Sequence, residues 1–387
     1  MTALRVGLIV PSSNTVVEPE LARVAGAVPD LELVATRVAV THIDANSASR
    51  QQFEPEPMIA AARLLAHAGV DVLVWAGTSG CWLGLDRDRA VVSAIEDATG
   101  IAATSSSLAL LDACRAFGAS RLFLVTPYLP AVVDWITETL AAEGLTVSDG
   151  RHLGICENAA FGAVPRSTLQ SMIDGAAGSD CHAAAVVCTN LRALPLLEAD
   201  VEQSLGIPVL DSVAATVWGA ARRIGVPLRC AGFGALLAHG STRATLQHLC
   251  DELLAQTGAD RVTARLDAAE IGLHVDLPAA EALRTGVKSI RWDPSLDQRA
   301  LETVCWLDEH RRLLVQPHFD VPPYPPQALR DVYGVAAQIL APVRGAGSLR
   351  GWLSVHSIAE RDWTPADQAA ARTAASSVAA LLDGGEI

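Results

Sequence analysis

Arg5-Val-Gly-Leu-Ile-Val-Pro11 and Arg121-Leu-Phe-Leu-Val-Thr-Pro127 are two versions of one phrase: an arginine, five mostly apolar residues and a proline. Each is of strand length and apolar without alternation, the mark of a strand buried on both faces of a parallel sheet. Two more phrases repeat in the same order. Val72-Leu-Val-Trp-Ala-Gly-Thr-Ser79 is echoed by Ala184-Ala-Val-Val-Cys-Thr-Asn190, and Gly100-Ile-Ala-Ala-Thr-Ser-Ser106 by Gly206-Ile-Pro-Val-Leu-Asp-Ser212. One apolar strand resembles another by chance, but three ordered matches predict two related lobes. Strands are expected at 5–10, 33–39, 71–75, 101–103, 121–126, 183–188 and 207–210, alternating with Ala/Leu-rich helical stretches. The expected fold is α/β: two pseudo-symmetric Rossmann-like parallel-sheet lobes, with ligands bound where the carboxyl ends of the strands meet.

Beyond residue 230 the texture changes. Ala231-Gly-Phe-Gly-Ala-Leu-Leu-Ala-His-Gly240 reads as a break, after which Ser241 or Thr242 is expected to cap a helix reaching about 257. Strands are then expected at 261–267, 288–292, 301–307, 312–316, 335–343 and 350–356, interrupted by the loop Val321-Pro-Pro-Tyr-Pro-Pro326. Thr364-Pro-Ala-Asp367 should open a last helix, with Thr364 as cap and Pro365 at its first position. The reading is a first domain over 1–238 and a separate α+β domain over 243–387.

Composition excludes several chemistries. Among 387 residues Lys288 is the one lysine, so the first domain can build neither an internal aldimine with pyridoxal phosphate nor a Walker-type phosphate loop. A net charge of −14 argues against nucleic acid or an anionic membrane as partner. The eight cysteines include no C-x-x-C pair, the histidines show no metal spacing, and Gly232-Phe-Gly234 lacks the third glycine of a dinucleotide fingerprint. His182 reads as a surface residue. No metal or cofactor is expected; the start has no signal-peptide pattern, so the expected localisation is cytoplasmic with reduced thiols.

The residues at the strand ends carry a resemblance. Val6-Gly-Leu-Ile-Val-Pro-Ser-Ser-Asn-Thr15 with Glu18, Thr126-Pro-Tyr128, Glu157-Asn158-Ala-Ala-Phe161-Gly162, and Cys188-Thr-Asn190 followed by Leu194-Pro-Leu-Leu197 resemble the Asp/Glu racemase superfamily. The likeness, over about residues 5–225, is to its branch of maleate cis-trans isomerases and arylmalonate decarboxylases. It implies that Cys188 is catalytic, that Tyr128 donates to a substrate carboxylate, and that Asn14 and Asn158 are substrate-binding asparagines. Where isomerases and racemases of that family carry a first cysteine, this chain has Gly77, followed by Thr78-Ser79 as in the decarboxylases. The second half, with Gly351-Trp-Leu-Ser-Val-His356 and Trp363-Thr-Pro-Ala-Asp367, resembles a GAF domain, implying a small-molecule ligand or a dimer contact.

A single thiol suffices for some reactions and not for others. Moving a proton from one face of a carbon to the other needs a group on each face, and maleate isomerisation needs a thiolate plus a proton carrier. Loss of CO2 from a malonate-type acid leaves an enediolate that needs one proton, which a protonated thiol can supply. The expected function is therefore a cofactor-independent decarboxylase of a small carboxylate, with Cys188 as proton donor. Thr78, Ser79, Tyr128 and the backbone N–H groups near 78–79 and 188–189 are the expected oxyanion donors, and Thr189 is a further expected substrate-binding residue. Trp75, Trp82 and Leu83 are candidates for the apolar wall. Each has a plainer reading: Cys188 as a small core residue, Thr78-Ser79 and Asn14 as caps or turns, Tyr128 as core. Two other functions stay open: a maleate isomerase or racemase recruiting Cys81, four residues past Gly77 on the first turn of a helix, and a non-catalytic carboxylate sensor using the GAF-like half.

Overall fold

The computed structural model describes residues 4–44, 50–199, 201–345 and 347–384. It divides into two compact units, Met1–Ser241 and Thr242–Ile387.

The first unit holds two four-stranded parallel sheets. Strands β1 (Leu4–Pro11), β2 (Leu31–Val38), β3 (Val72–Trp75) and β4 (Ala102–Ser105) are ordered β2-β1-β3-β4. Strands β5 (Arg121–Thr126), β6 (Thr146–His152), β7 (Ala183–Val186) and β8 (Val209–Asp211) are ordered β6-β5-β7-β8, the same topology. The three sequence echoes fall on β1/β5, β3/β7 and β4/β8. The ladder corrects one offset. Val6 pairs with Val72 and Leu122 with Ala183. With Val6 and Leu122 equivalent, Val72 matches Ala183, one residue short of the 72/184 echo. That shift aligns Gly77 with Cys188 and Thr78 with Thr189. Strand β6 escaped the sequence reading because Thr146-Val-Ser-Asp-Gly-Arg-His152 is a polar edge strand, mostly exposed.

Equivalent helices after β4 and β8, Ser106–Phe117 and Ser212–Arg223, pack together between the sheets. They approach closely because position 219 is glycine: a Cβ there would lie 2.4 Å from Ala109 Cβ. Ser106 Oγ and Thr216 Oγ1, both buried, share a hydrogen bond of 2.6 Å across this contact. Ser105 accepts from Leu108 N and Asp211 from Ala214 N, so each helix is capped by the last residue of the strand before it.

In the second unit an antiparallel sheet is ordered β10-β9-β13-β12-β11, where β9 is Arg261–Leu266, β10 Ala280–Leu283, β11 Leu314–Gln316, β12 Ala337–Arg344 and β13 Leu349–Ser357. The last helix, Pro365–Leu382, begins with the expected Thr364 cap, completed by Asp367 into a capping box. Three expectations fail. Residues 301–307 form part of a helix, Glu302–His310, because Val304 and Leu307 bury one face at helical spacing. Residues 288–292 are irregular, and the edge strand is β10 instead. The break is confined to residues 231–233: the helix begins at Gly234 and runs to Thr257, so neither Ser241 nor Thr242 caps it. No helix among the described residues is long and apolar enough to cross a membrane.

Candidate active site

The carboxyl ends of β1, β3, β5 and β7 converge on a small cavity. Its polar lining is Asn14, Thr78, Ser79, Tyr128, Asn158, Cys188 and Thr189, with Gly77 beside them. All seven polar side chains are at most 5% exposed. Among the described residues no arginine, lysine or histidine lines it, so a carboxylate bound there would be held by neutral donors.

The two lobes are stitched together at this point by the motif residues. Asn14 Oδ1 accepts from the backbone N–H groups of Val16 and Val17 at 2.9 and 3.0 Å, capping the helix Val17–Ala27, while its Nδ2 donates to Thr189 Oγ1 at 3.0 Å. Thr189 Oγ1 donates in turn to Ala76 O at 2.9 Å. Asn158 Nδ2 donates to Ser13 Oγ at 2.8 Å, and Thr15 N to Asn190 Oδ1 at 2.9 Å. Gly162 is needed where these strands of contact cross, since a Cβ there would sit 2.5 Å from Thr15 Oγ1. Asn14 is thus both a cap and a cavity residue.

Thr78 Oγ1 and Tyr128 Oη share a hydrogen bond of 3.1 Å, again one group from each lobe. Tyr128 packs edge-on against Phe161, ring centroids 5.4 Å apart. Burial pushes the Cys188 thiol up to about 12, against smaller lowering effects of its hydrogen bonds to Tyr128 and to the backbone at Asn190 and Leu191. Tyr128 is also held well above its ordinary value, first by burial and then by Cys188. Both groups are therefore protonated across the neutral range. Cys188 N–H donates to Ser212 Oγ at 3.3 Å, so of the expected backbone oxyanion donors this one is already engaged.

The first lobe places something else at the position equivalent to Cys188. A Cβ on Gly77 would fall 2.7 Å from Cζ2 and 2.8 Å from Cε2 of Trp75. The indole lies over Gly77, 1% exposed, fixed by Nε1 donating to Ser79 Oγ at 2.9 Å and by an edge contact with Phe53. Ser79 is consequently an acceptor for Trp75 as well as a cavity residue.

Cys81 is not brought to the cavity. Its thiol is neighboured by Ser107, Asp88 and Cys114, and burial pushes it up to about 12. The expected dipole effect is overridden because the helix Gly80–Leu83 is a single buried turn and Asp88 stands against it: a Cβ on Gly80 would be 2.3 Å from Asp88 Cγ. Two of the proposed wall residues are also elsewhere, since Trp82 and Leu83 line a different groove with Trp135. The apolar wall is Pro11, Val40, Ile43, Phe53 and Trp75. Val40 and Ile43 lie just past the carboxyl end of β2, the position that could have flagged them; their segment is held by Ile43 N donating to Cys156 O and Asn158 N to Thr41 O. Phe53 carried no local signal. His182, read as surface, is buried and accepts from Ser120 N at 3.2 Å, tying the start of β5 to that of β7. Among the described residues no His, Cys, Asp and Glu side chains are grouped to hold a metal ion.

Comparison with known proteins agrees with this geometry. Residues 6–237 match the family model described as arylmalonate decarboxylase, and residues 241–382 match the GAF domain model. The chain is 30% identical to a maleate isomerase of Nocardia farcinica over 246 residues, 61% of this chain and 96% of that protein. It is 31% identical to an arylmalonate decarboxylase of Bordetella bronchiseptica over 225 residues, 57% of this chain and 90% of that protein. Among solved structures, a maleate isomerase from Pseudomonas putida S16 with maleate superposes with a TM-score of 0.56 at 26% identity, covering 61% of this chain and 98% of its own. A liganded double mutant of arylmalonate decarboxylase superposes with 0.53 at 29% identity, covering 60% and 98%. A maleate isomerase variant of Nocardia farcinica carries a covalently bound succinylcysteine intermediate, with a TM-score of 0.56 at 27% identity over 61% and 98%.

Proposed function

The chain belongs to the arylmalonate decarboxylase family, whose relatives include both decarboxylases and maleate isomerases, and from that premise we propose that its first unit decarboxylates a substituted malonate with Cys188 as the single proton donor. The observation that carries the reading is the Trp75 indole lying where a side chain on Gly77 would have to go. One lobe offers an acid, and the equivalent place on the other is filled by a ring with no exchangeable proton directed at the substrate, its N–H being engaged by Ser79.

In the proposed reaction one carboxylate rests among Thr78, Tyr128 and the neighbouring polar groups, and the other faces the wall of Pro11, Val40, Ile43 and Phe53. Desolvation against that wall favours departure as neutral CO2. The carbon–carbon bond breaks and its electron pair passes to the α-carbon and the retained carboxylate as an enediolate. Hydroxyls of Thr78 and Tyr128 stabilise the developing charge. The S–H bond of Cys188 then breaks, its proton goes to the α-carbon, and solvent returns a proton to the sulfur. A thiol held protonated by burial suits an acid better than a nucleophile, which has to be a thiolate.

A second reading, a maleate isomerase, is favoured by the names of several relatives and by Asn14 and Asn158 in the lining. It needs a second group, and Cys81 stands outside the cavity. Incubation of the full chain with phenylmalonate and separately with maleate distinguishes the two: CO2 release from the first without fumarate from the second is expected. Fumarate formation with no CO2 release would reverse the assignment.

A further inference from the structure

Strands β4 and β8 end in different caps. Ser105 and Asp211 are their last residues, both wholly buried, and each accepts one backbone N–H of the following helix at 3.1 Å. A serine therefore meets the capping requirement, and serine and aspartate cap about equally well. A carboxyl in a dry interior is the harder group to accommodate, because desolvation opposes its ionisation. The lobe without a cavity thiol has the hydroxyl, and the lobe with Cys188 has the carboxyl.

Asp211 stands beside the strand that carries the sulfur. It pairs with Val186 in the β7–β8 ladder, and Cys188 N–H donates to Ser212 Oγ, one residue further on, at 3.3 Å. Capping uses Oδ2 alone; Oδ1 is buried without a hydrogen-bond partner, which is rare for a buried polar atom. The buried carboxyl of the first lobe, Asp88, differs, since it accepts from Ser105 and stands against Gly80 rather than Gly77. The titratable groups facing Asp211 are Cys188 and, from the helix Val17–Ala27, Glu20. Glu20 is buried and ion-paired with Arg192 at 2.7 Å and Arg23 at 3.1 Å, whose side chains reach the solvent.

A proton-donating Cys188 is left as a thiolate after every turnover, in a site where it is 2% exposed. We infer that Asp211 is the proton reservoir of Cys188, an inference that rests on the proton-donor role proposed above. Once the S–H proton has gone to the α-carbon, the O–H bond of Asp211 breaks and its proton forms the new S–H bond. The resulting carboxylate regains a proton from solvent. Burial raises Asp211 to about 7 and the thiol to about 12, so the transfer to sulfur runs downhill. Tyr128, the sulfur's neighbour in the cavity, is held well above its ordinary value by burial and is the poorer acid.

The test follows exchange of the Cys188 S–H with solvent in the full chain, by infrared spectroscopy after dilution into D2O, with Cys188→Ala identifying the band. Asp211→Asn retains a capping side chain and should slow that exchange at least about tenfold. Loosened packing would do the opposite and hasten it, so exchange as fast as in the unsubstituted chain, or faster, overturns the proposal. If Asp211→Asn fails to fold, Asp211→Ser, the cap of the first lobe, carries the same test. In rapid-quench turnover of phenylmalonate, Asp211→Asn should release a burst of one CO2 per site and then continue at least about tenfold more slowly than the unsubstituted chain. A first turnover slowed as much as the later ones would mark a structural role and also overturn the proposal. Slowed exchange in a protein that releases no CO2 from phenylmalonate keeps the reservoir and removes the decarboxylase reading instead.

Discussion

Strands β3 and β7 are the same strand built twice and finished differently. Each runs in the same place of a four-stranded sheet, each is wholly buried, and each ends on the shared cavity. The first closes with Gly77-Thr78-Ser79 and the second with Cys188-Thr189-Asn190. Both threonines serve the junction, Thr78 through Tyr128 and Thr189 through Asn14 and Ala76. What separates the lobes at this position is the side chain: a thiol in the second, and in the first a hydrogen with the Trp75 ring laid over it. A duplicated scaffold is two-sided by construction, and filling one of its two equivalent positions with an inert ring makes the chemistry one-sided.

The comparison breaks most decisively at the sulfur. Cys188→Ala should lower the rate of CO2 release from phenylmalonate by about 10²–10⁴-fold, the usual worth of a positioned proton donor, with the fold intact by circular dichroism. Unchanged turnover would remove Cys188 from the mechanism. On the opposite side, restoring symmetry takes two changes rather than one. Gly77→Cys alone drives a Cβ into the Trp75 ring and should destabilise the protein by about 1–3 kcal/mol without racemising the product of a prochiral disubstituted phenylmalonate. Gly77→Cys combined with Trp75→Phe gives the thiol room and should produce racemisation, measurable by chiral chromatography. Efficient racemisation by the single variant would show that the ring yields easily and that Gly77 alone sets the stereochemical outcome.

The smallest expected effect concerns the caps at the lobe contact. Ser105 and Asp211 are equivalent, but Asp211 is a buried carboxyl that burial raises to about 7, and Asp88, which accepts from Ser105, is raised to about 6. In the unfolded chain both titrate near 3.8, so between those values the folded protein holds more protons. Stability from these groups is fully present below about pH 4 and is lost as pH rises through 6 and 7. Asp211→Asn keeps the helix cap and should flatten the dependence of melting temperature on pH. A slope identical to that of the unsubstituted chain would argue that Asp211 stays ionised.

Strands of the β1 and β5 kind announce themselves through runs of apolar residues ended by proline, and Thr364-Pro-Ala-Asp367 announced a capped helix, because a strand or cap is decided within a few residues. The polar edge strand β6 and the helix at Glu302–His310 are not legible locally, because packing, rather than local pattern, selects them. The cavity's strand-end residues followed from the fold class, since parallel sheets bind at their carboxyl ends.

The wall residues Val40, Ile43 and Phe53 and the displacement of Cys81 did not follow, nor did the polar underside of the second unit's sheet. Alternation along Arg261-Val-Thr-Ala-Arg-Leu266 was visible in the chain, but it reads as a strand with one wet face; only packing reveals that both faces are dry. Composition and motif fixed which atoms are available: one lysine, far from the cavity residues in the chain, and a glycine in the first lobe where the second carries a thiol. Which atoms meet was decided by the folded chain, because close contacts such as Trp75 over Gly77 depend on side-chain rotamers and neighbouring walls that no single segment specifies.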